Sequence, residues 1–177
     1  EDLFALCEEA ARKGWPRPVL IQCTLALADI ALQGTWRETL ECALARWSGV
    51  DVEAIPLLEL LSALVEERGH PWLPPTPAAK AREGGFGDDE ELLAVAPMVA
   101  PWLLSALPPP ETSAGARTPS AEAIATAALR CARCWVPWAP PTADWMQRAA
   151  GWLALGSGGV GDEAADALVE AAHAGDA

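Results

Sequence analysis

The residues best equipped for chemistry are two cysteines three positions apart, Cys131 and Cys134, in the run Cys-Ala-Arg-Cys. That spacing suits a metal or redox pair. A structural zinc centre needs four ligands, however, and no second pair of suitable spacing exists. The only histidines, His70 and His173, fall in a predicted loop and in the last predicted helix. On a helix Cys131 and Cys134 share the face of Ile124 and Ala128, where a free thiol packs as a small apolar group. We read them as core and expect no metal.

The second cluster is Asp88, Asp89, Glu90 and Glu91. It is similar to the aspartate-rich motif of the all-helical isoprenoid synthases, but those enzymes need a second metal-binding motif on a facing helix, and none is present. Carboxylates at a helix start complement its free N–H groups and dipole, so the cluster reads as structural. As a solvated acidic patch it could also meet a basic partner. No Gly-x-Ser-x-Gly turn occurs, and Gly156 to Gly161 lacks the Lys and Ser/Thr of a phosphate loop. With two histidines and no tyrosine, acid–base groups are scarce. No enzyme is expected, and no catalytic residue or cofactor.

Charge points toward partners. The chain carries 25 acidic against 12 basic residues, a formal −13 over 177 residues. A nucleic-acid binder needs a basic stripe to displace counterions, so direct binding of nucleic acid is not expected. Basic proteins are favoured partners; plain solubility explains the same balance. No apolar run approaches the ~20 residues of a membrane span, and no leader is evident. Five cysteines, an odd number, fit a reduced intracellular compartment.

The elements that must position these groups read as helices throughout. The first runs from Asp2 to about Lys13 and is ended by Gly14, Pro16 and Pro18. The second, to about Gln33, has almost no polar face, so neighbours must cover it on several sides. Thr35 and Glu38 form a capping box for the third, which ends near Trp47. A fourth spans Ala54 to Glu67, with Pro56 tolerable in its first turn. Residues 69–87 and 108–118 read as loops. Asp88 and Glu91 cap a fifth helix in which Pro97 and Pro101 predict a kink or break. Pro119 starts a sixth, Thr142 caps a seventh, and Asp162 to Ala174 forms the last. Trp36, Trp47, Trp135, Trp145 and Trp152 fall on apolar stripes and belong in the core. Trp72 and Trp138 stand beside prolines and are the tryptophans expected at the surface.

Helices near Pro18 and Ala54 start 36 residues apart, and those near Pro119 and Asp162 start 43 apart. HEAT-type helix pairs repeat at roughly 40–47 residues, and each pair leaves a face that only neighbours can bury. The expected fold is therefore all-α: one α-solenoid of HEAT-like antiparallel pairs over 1–177, paired about 2–33, 35–67, 88–107, 119–155 and 162–174. A globular bundle is the rival, but its helices would keep a clean polar face.

Three segments, in order, carry a family likeness: PVLIQCTLALADIALQGTW (18–36), IPLLELLSALVEE (55–67), and LRCARCW (129–135) with DEAADALVEAAHA (162–174). The chain resembles the importin-β superfamily of nuclear transport receptors, in particular the N-terminal region of the transportin-SR and importin-thirteen branch. The loop 69–87 is richer in proline and glycine than that pattern, and Pro97 and Pro101 interrupt one of its long helices. The resemblance implies a right-handed superhelix shuttling between nucleus and cytoplasm. It implies binding to GTP-loaded Ran, to protein cargo that is often basic, and to nucleoporins. It places the inner face on the helices starting at Thr35, Asp88 and Thr142. Their polar residues are the candidate binding set: Arg37, Glu38, Glu41, Arg46, Asp88, Asp89, Glu90, Glu91, Asp144, Gln147 and Arg148. A generic HEAT-repeat scaffold in a cytosolic complex is the alternative.

Overall fold

The computed structural model describes residues 3–32, 36–48, 54–67, 89–110, 119–155 and 158–175. Among these residues all regular structure is helical. The elements are α1 (Leu3–Arg12), α2 (Arg17–Ile30), α3 (Trp36–Trp47), α4 (Ala54–Glu67), α5 (Asp89–Ala106), α6 (Pro119–Trp135), α7 (Ala143–Ala154) and α8 (Gly158–Gly175). Asp2, Thr35, most of the predicted loops and Trp72 lie outside the described residues, as does the side chain of Trp36. Two compact units divide the chain, 1–94 and 95–177.

In the first unit α2 packs along α4 and against α1, while α3 also lies on α4. Gly14 ends α1 in the left-handed region at φ 62°. There Trp15 N donates to Ala10 O at 2.9 Å and Gly14 N to Ala11 O at 3.2 Å. Those two bonds make a Schellman corner, which glycine enters without a Cβ penalty. Helix α2 continues through a wider turn at Ala31 and Leu32, both buried. The Thr24 hydroxyl, buried on α2, donates to Ile21 O at 2.9 Å, so burying it leaves no orphan group.

Helix α4 is the centre of this unit. Pro56 through Leu64 are all buried, and Leu57, Leu58, Leu60 and Leu61 are wholly so. Each buried leucine contributes about 2 kcal/mol of transfer free energy. The apolar belt contains one acid, Glu59. Arg17, at the start of α2, holds its Oε1 through Nε at 3.1 Å and Nη2 at 2.9 Å.

In the second unit α6 and α7 each pack on α8. Arg130 on α6 donates to Glu163 on α8 at 3.0 Å, and Arg133 to Asp166 at 2.7 Å. Both pairs are 33 residues apart, so α6 and α8 run in the same direction with a fixed register. Thr142 caps α7 as expected, its hydroxyl accepting from Trp145 N at 3.3 Å. Beyond α5 the chain is strapped to α7. Trp152 Nε1 donates to Pro108 O at 2.8 Å, and Arg148 Nη1 to Leu107 O at 3.2 Å.

Two expectations need correction. Of the kink or break expected at Pro97 and Pro101, the break does not occur: α5 is one helix through both. Leu93, Pro97 and Pro101 are one turn apart and all exposed, so the carbonyls that lose an N–H partner face water. Helix α8 begins at Gly158, four residues before Asp162. Val160 and Gly161 are buried, and that packing outweighs the poor helix propensity of glycine.

Candidate functional site

The predicted binding residues divide between free surface and internal fastening. On α3, Arg37, Glu38 and Glu41 are exposed. Arg37 Nε donates to Glu41 Oε1 at 3.3 Å within the same helix, an exposed pair worth about 0.3–0.5 kcal/mol. A binding partner displaces such a pair at little cost.

Arg46 is different: it fastens α3 to α1 and is not a free recognition group. Its Nε donates to Glu8 Oε1 at 2.8 Å, and its guanidinium lies 5.5 Å from the Phe4 ring centroid. Trp47 Nε1 donates to the same Glu8 oxygen at 3.0 Å, and the Phe4 and Trp47 rings are 5.1 Å apart. The Arg46 hydrogen bond holds the Glu8 carboxyl below the usual carboxylate range; the Trp47 bond adds to this and partial burial opposes it. Its basic end made Arg46 look like surface, but its neighbour Trp47 is 1% exposed and pins it at a junction.

Asp88 lies outside the described residues. Asp89, Glu90 and Glu91 open α5, but their side chains are not among those described. On α7, Gln147 is exposed and Asp144 pairs with Arg148 at 2.9 Å. Arg148 also bonds to Leu107 O, so it too is a fastening residue. The carboxylate end of that pair, Asp144, is 70% exposed and faces water. The residues of α3 and of α7 belong to different units.

Among the described residues no group of three or more His, Cys, Asp or Glu stands close enough to hold a metal ion. Cys131 is buried and Cys134 half-buried, and neither is in a disulfide. Cys7 is buried in α1, and its thiol is pushed up to about 12, first by burial and then by Cys23 and Glu8. No helix among the described residues is long and apolar enough to cross a membrane.

Sequence reasoning missed an exposed tryptophan. Trp138 is half-buried, meeting Trp135 edge-on at 6.3 Å, whereas Trp15 is 36% exposed. The signal was available, because Trp15 sits between Gly14 and Pro16, off any helical stripe. Exposed Val19, Ile30 and Leu153 were also absent from the predicted set, which had been drawn from polar residues alone. Comparison with protein-family models, with curated proteins and with solved structures gave no match.

Proposed function

We propose that the chain is part of a nuclear transport receptor: a right-handed solenoid of HEAT-like pairs that binds GTP-loaded Ran and basic protein cargo. One observation supports the repeat architecture above all. The long-range side-chain hydrogen bonds described above join alternate elements: α1 to α3, α2 to α4, α6 to α8, and α7 to the residues directly after α5. Their partners are 33 to 44 residues apart. Stacked repeats bond each unit to its equivalent in the next, about one repeat length along the chain, and these separations are of that order.

The likeness of 18–36, 55–67, 129–135 and 162–174 to the importin-β superfamily supplies the transport half of the reading. Acidic surface suits basic partners. Glu38, Glu41, Asp144 and Gln147 are the side chains offered to them, with the α5 start (Asp88, Asp89, Glu90, Glu91) as a further acidic stretch. Arg46 and Arg148 act one step removed, by holding α3 and α7 in place. In this reading the protein binds and does not catalyse, requires no cofactor, meets nucleoporins in transit and shuttles between nucleus and cytoplasm.

The test is a pull-down of the full-length protein with Ran loaded with a non-hydrolysable GTP analogue or with GDP. Retention of the GTP form alone is expected, and reduced retention on Glu38→Lys with Glu41→Lys. Equal retention of both nucleotide forms overturns the transport reading. The same alternating pattern also favours a HEAT-repeat scaffold of a cytosolic complex, which predicts no nucleotide preference and a stable stoichiometric assembly.

A further inference from the structure

Directly after α5 the chain reads Leu107, Pro108, Pro109, Pro110. Proline fixes its own φ, and a residue that precedes proline is driven to extended ψ, so 107–109 take the polyproline II conformation. That helix has three residues per turn, which puts Leu107 and Pro110 on one side. Burial follows the same period: Leu107 is wholly buried and Pro110 half-buried, whereas Pro109 faces water. A polyproline helix makes no internal hydrogen bonds, so its carbonyls need outside donors. Two find them on α7, where Leu107 O accepts from Arg148 and Pro108 O from Trp152. The prolines bring no N–H of their own, so docking them orphans no donor. Arg148, Gly151 and Trp152 stand at i, i+3 and i+4 and therefore share one face of α7. Gly151 lets the Pro110 ring seat where a Cβ would collide. Asp144 Oδ2, 2.9 Å from Arg148 Nη2, steadies the guanidinium.

We propose that this face of α7 is a recognition site for proline-rich segments of the pattern Leu-Pro-Pro-Pro, occupied in the folded chain by its own residues 107–110. What the site reads belongs to any polyproline helix: two consecutive carbonyls, no N–H groups between them, and a ring three residues after the leucine. Aromatic side chains lining a groove are the usual dock for such a ligand, whose conformation is set before it binds. The three prolines donate nothing to α7, so the strap is held by side-chain donors from one side only. Tethered to the end of α5, the strap has a high effective concentration at the site, and a ligand on another protein competes against it. A partner carrying the same pattern displaces the strap and leaves 107–110 free. The site lies wholly within the second unit and needs neither Ran nor nucleotide, so this inference stands independently of the transport reading.

The probe is a fluorescein-labelled, amidated peptide of the strap sequence, Ser-Ala-Leu-Pro-Pro-Pro. It is titrated by anisotropy into the 177-residue chain and into a variant carrying Pro108→Ala, Pro109→Ala and Pro110→Ala. Those changes remove the preorganisation of the strap and leave α7 untouched, so the peptide should bind the variant about ten-fold or more tighter than the parent. Trp152→Phe added to the variant should weaken binding about five-fold, the loss of one hydrogen bond. Val169→Ala, on the exposed side of α8, should leave it unchanged. Circular dichroism checks that each variant is folded. Should the triple variant unfold, the parent decides: excess peptide should shift the Trp152 indole N–H resonance saturably, that resonance being assigned by its loss in Trp152→Phe. Absence of binding to the folded variant, affinity indifferent to Trp152, or, where the variant unfolds, a resonance that stays in place in the parent overturns the proposal. Equal affinity for Ser-Ala-Leu-Ala-Ala-Ala overturns the assignment of a proline-rich partner.

Discussion

Replacing Gly151 by alanine tests the strap that joins the end of α5 to α7, because two effects of opposite sign compete there. In an exposed helix interior, Gly→Ala stabilises by about 0.5–1 kcal/mol. Here a Cβ on Gly151 would press into the ring of Pro110, reaching 3.3 Å from its Cβ and 3.6 Å from its Cδ, with Cγ closer still. A proline ring has no rotamer into which to retreat, so the strap itself must move. Overpacking of this kind costs about 1–3 kcal/mol. Movement also stretches the Trp152 Nε1 bond to Pro108 O, now 2.8 Å, which is worth about 1 kcal/mol. The net expectation is about 1–2 kcal/mol of destabilisation, a Tm lowered by roughly 5 °C for a chain of this size. Differential scanning calorimetry of the purified variant reads it directly. Trp152→Phe, which keeps the ring and removes the N–H, should cost about 1 kcal/mol, and the double variant should cost less than the sum because both act on one strap. A Gly151→Ala variant that melts higher than the parent would show helix propensity winning over the clash and would refute the seating of Pro110 on α7.

Three further outcomes follow from the fastening contacts. Arg17→Ala removes the two donors to Oε1 of the recessed Glu59 and should cost about 1–3 kcal/mol in urea unfolding, while Arg17→Lys recovers part of the loss. The Glu8 carboxyl titrates below its unfolded value, so the α1–α3 junction contributes stability above the ordinary carboxylate range. That contribution is lost as pH falls through the folded value; carboxyl NMR should show the Glu8 titration moving up in Arg46→Ala, and an unmoved curve contradicts the assignment. Cys42 is exposed and should react first with a thiol reagent at pH 8, whereas Cys7, its thiol pushed up to about 12, should react only on unfolding; early labelling of Cys7 would show the α1–α2 contact to be open.

Helix existence was legible because apolar period and punctuation agree. Gly14 with Pro16, Pro56 in a first turn and Thr142 before α7 each mark a boundary that the backbone obeys. The misses arose where tertiary packing outranks local preference. Nothing in residues 97–101 says that both prolines fall on the solvent side of α5, and nothing in 158–161 says that Val160 will be buried deeply enough to draw three glycines into a helix. The binding residues were the least legible. A side chain's charge is visible in sequence, but whether it faces water or bridges two helices is decided by partners about 40 residues away. Arg46 and Arg148 show this: each looks like recognition surface along its own helix, and each is tied to another element, Glu8 for one and Leu107 O for the other.

The equal spacing of Arg130–Glu163 and Arg133–Asp166 sets how the second unit can deform. Sliding α8 along α6 by a single residue would misalign both rungs together, so axial shear is stiff. Arg133 also lies 3.8 Å from Glu163, so the two rungs share a carboxylate and hold one alignment of the helices. Loss of either arginine would leave the other rung as the single charged tie that keeps this order of partners along the two helices.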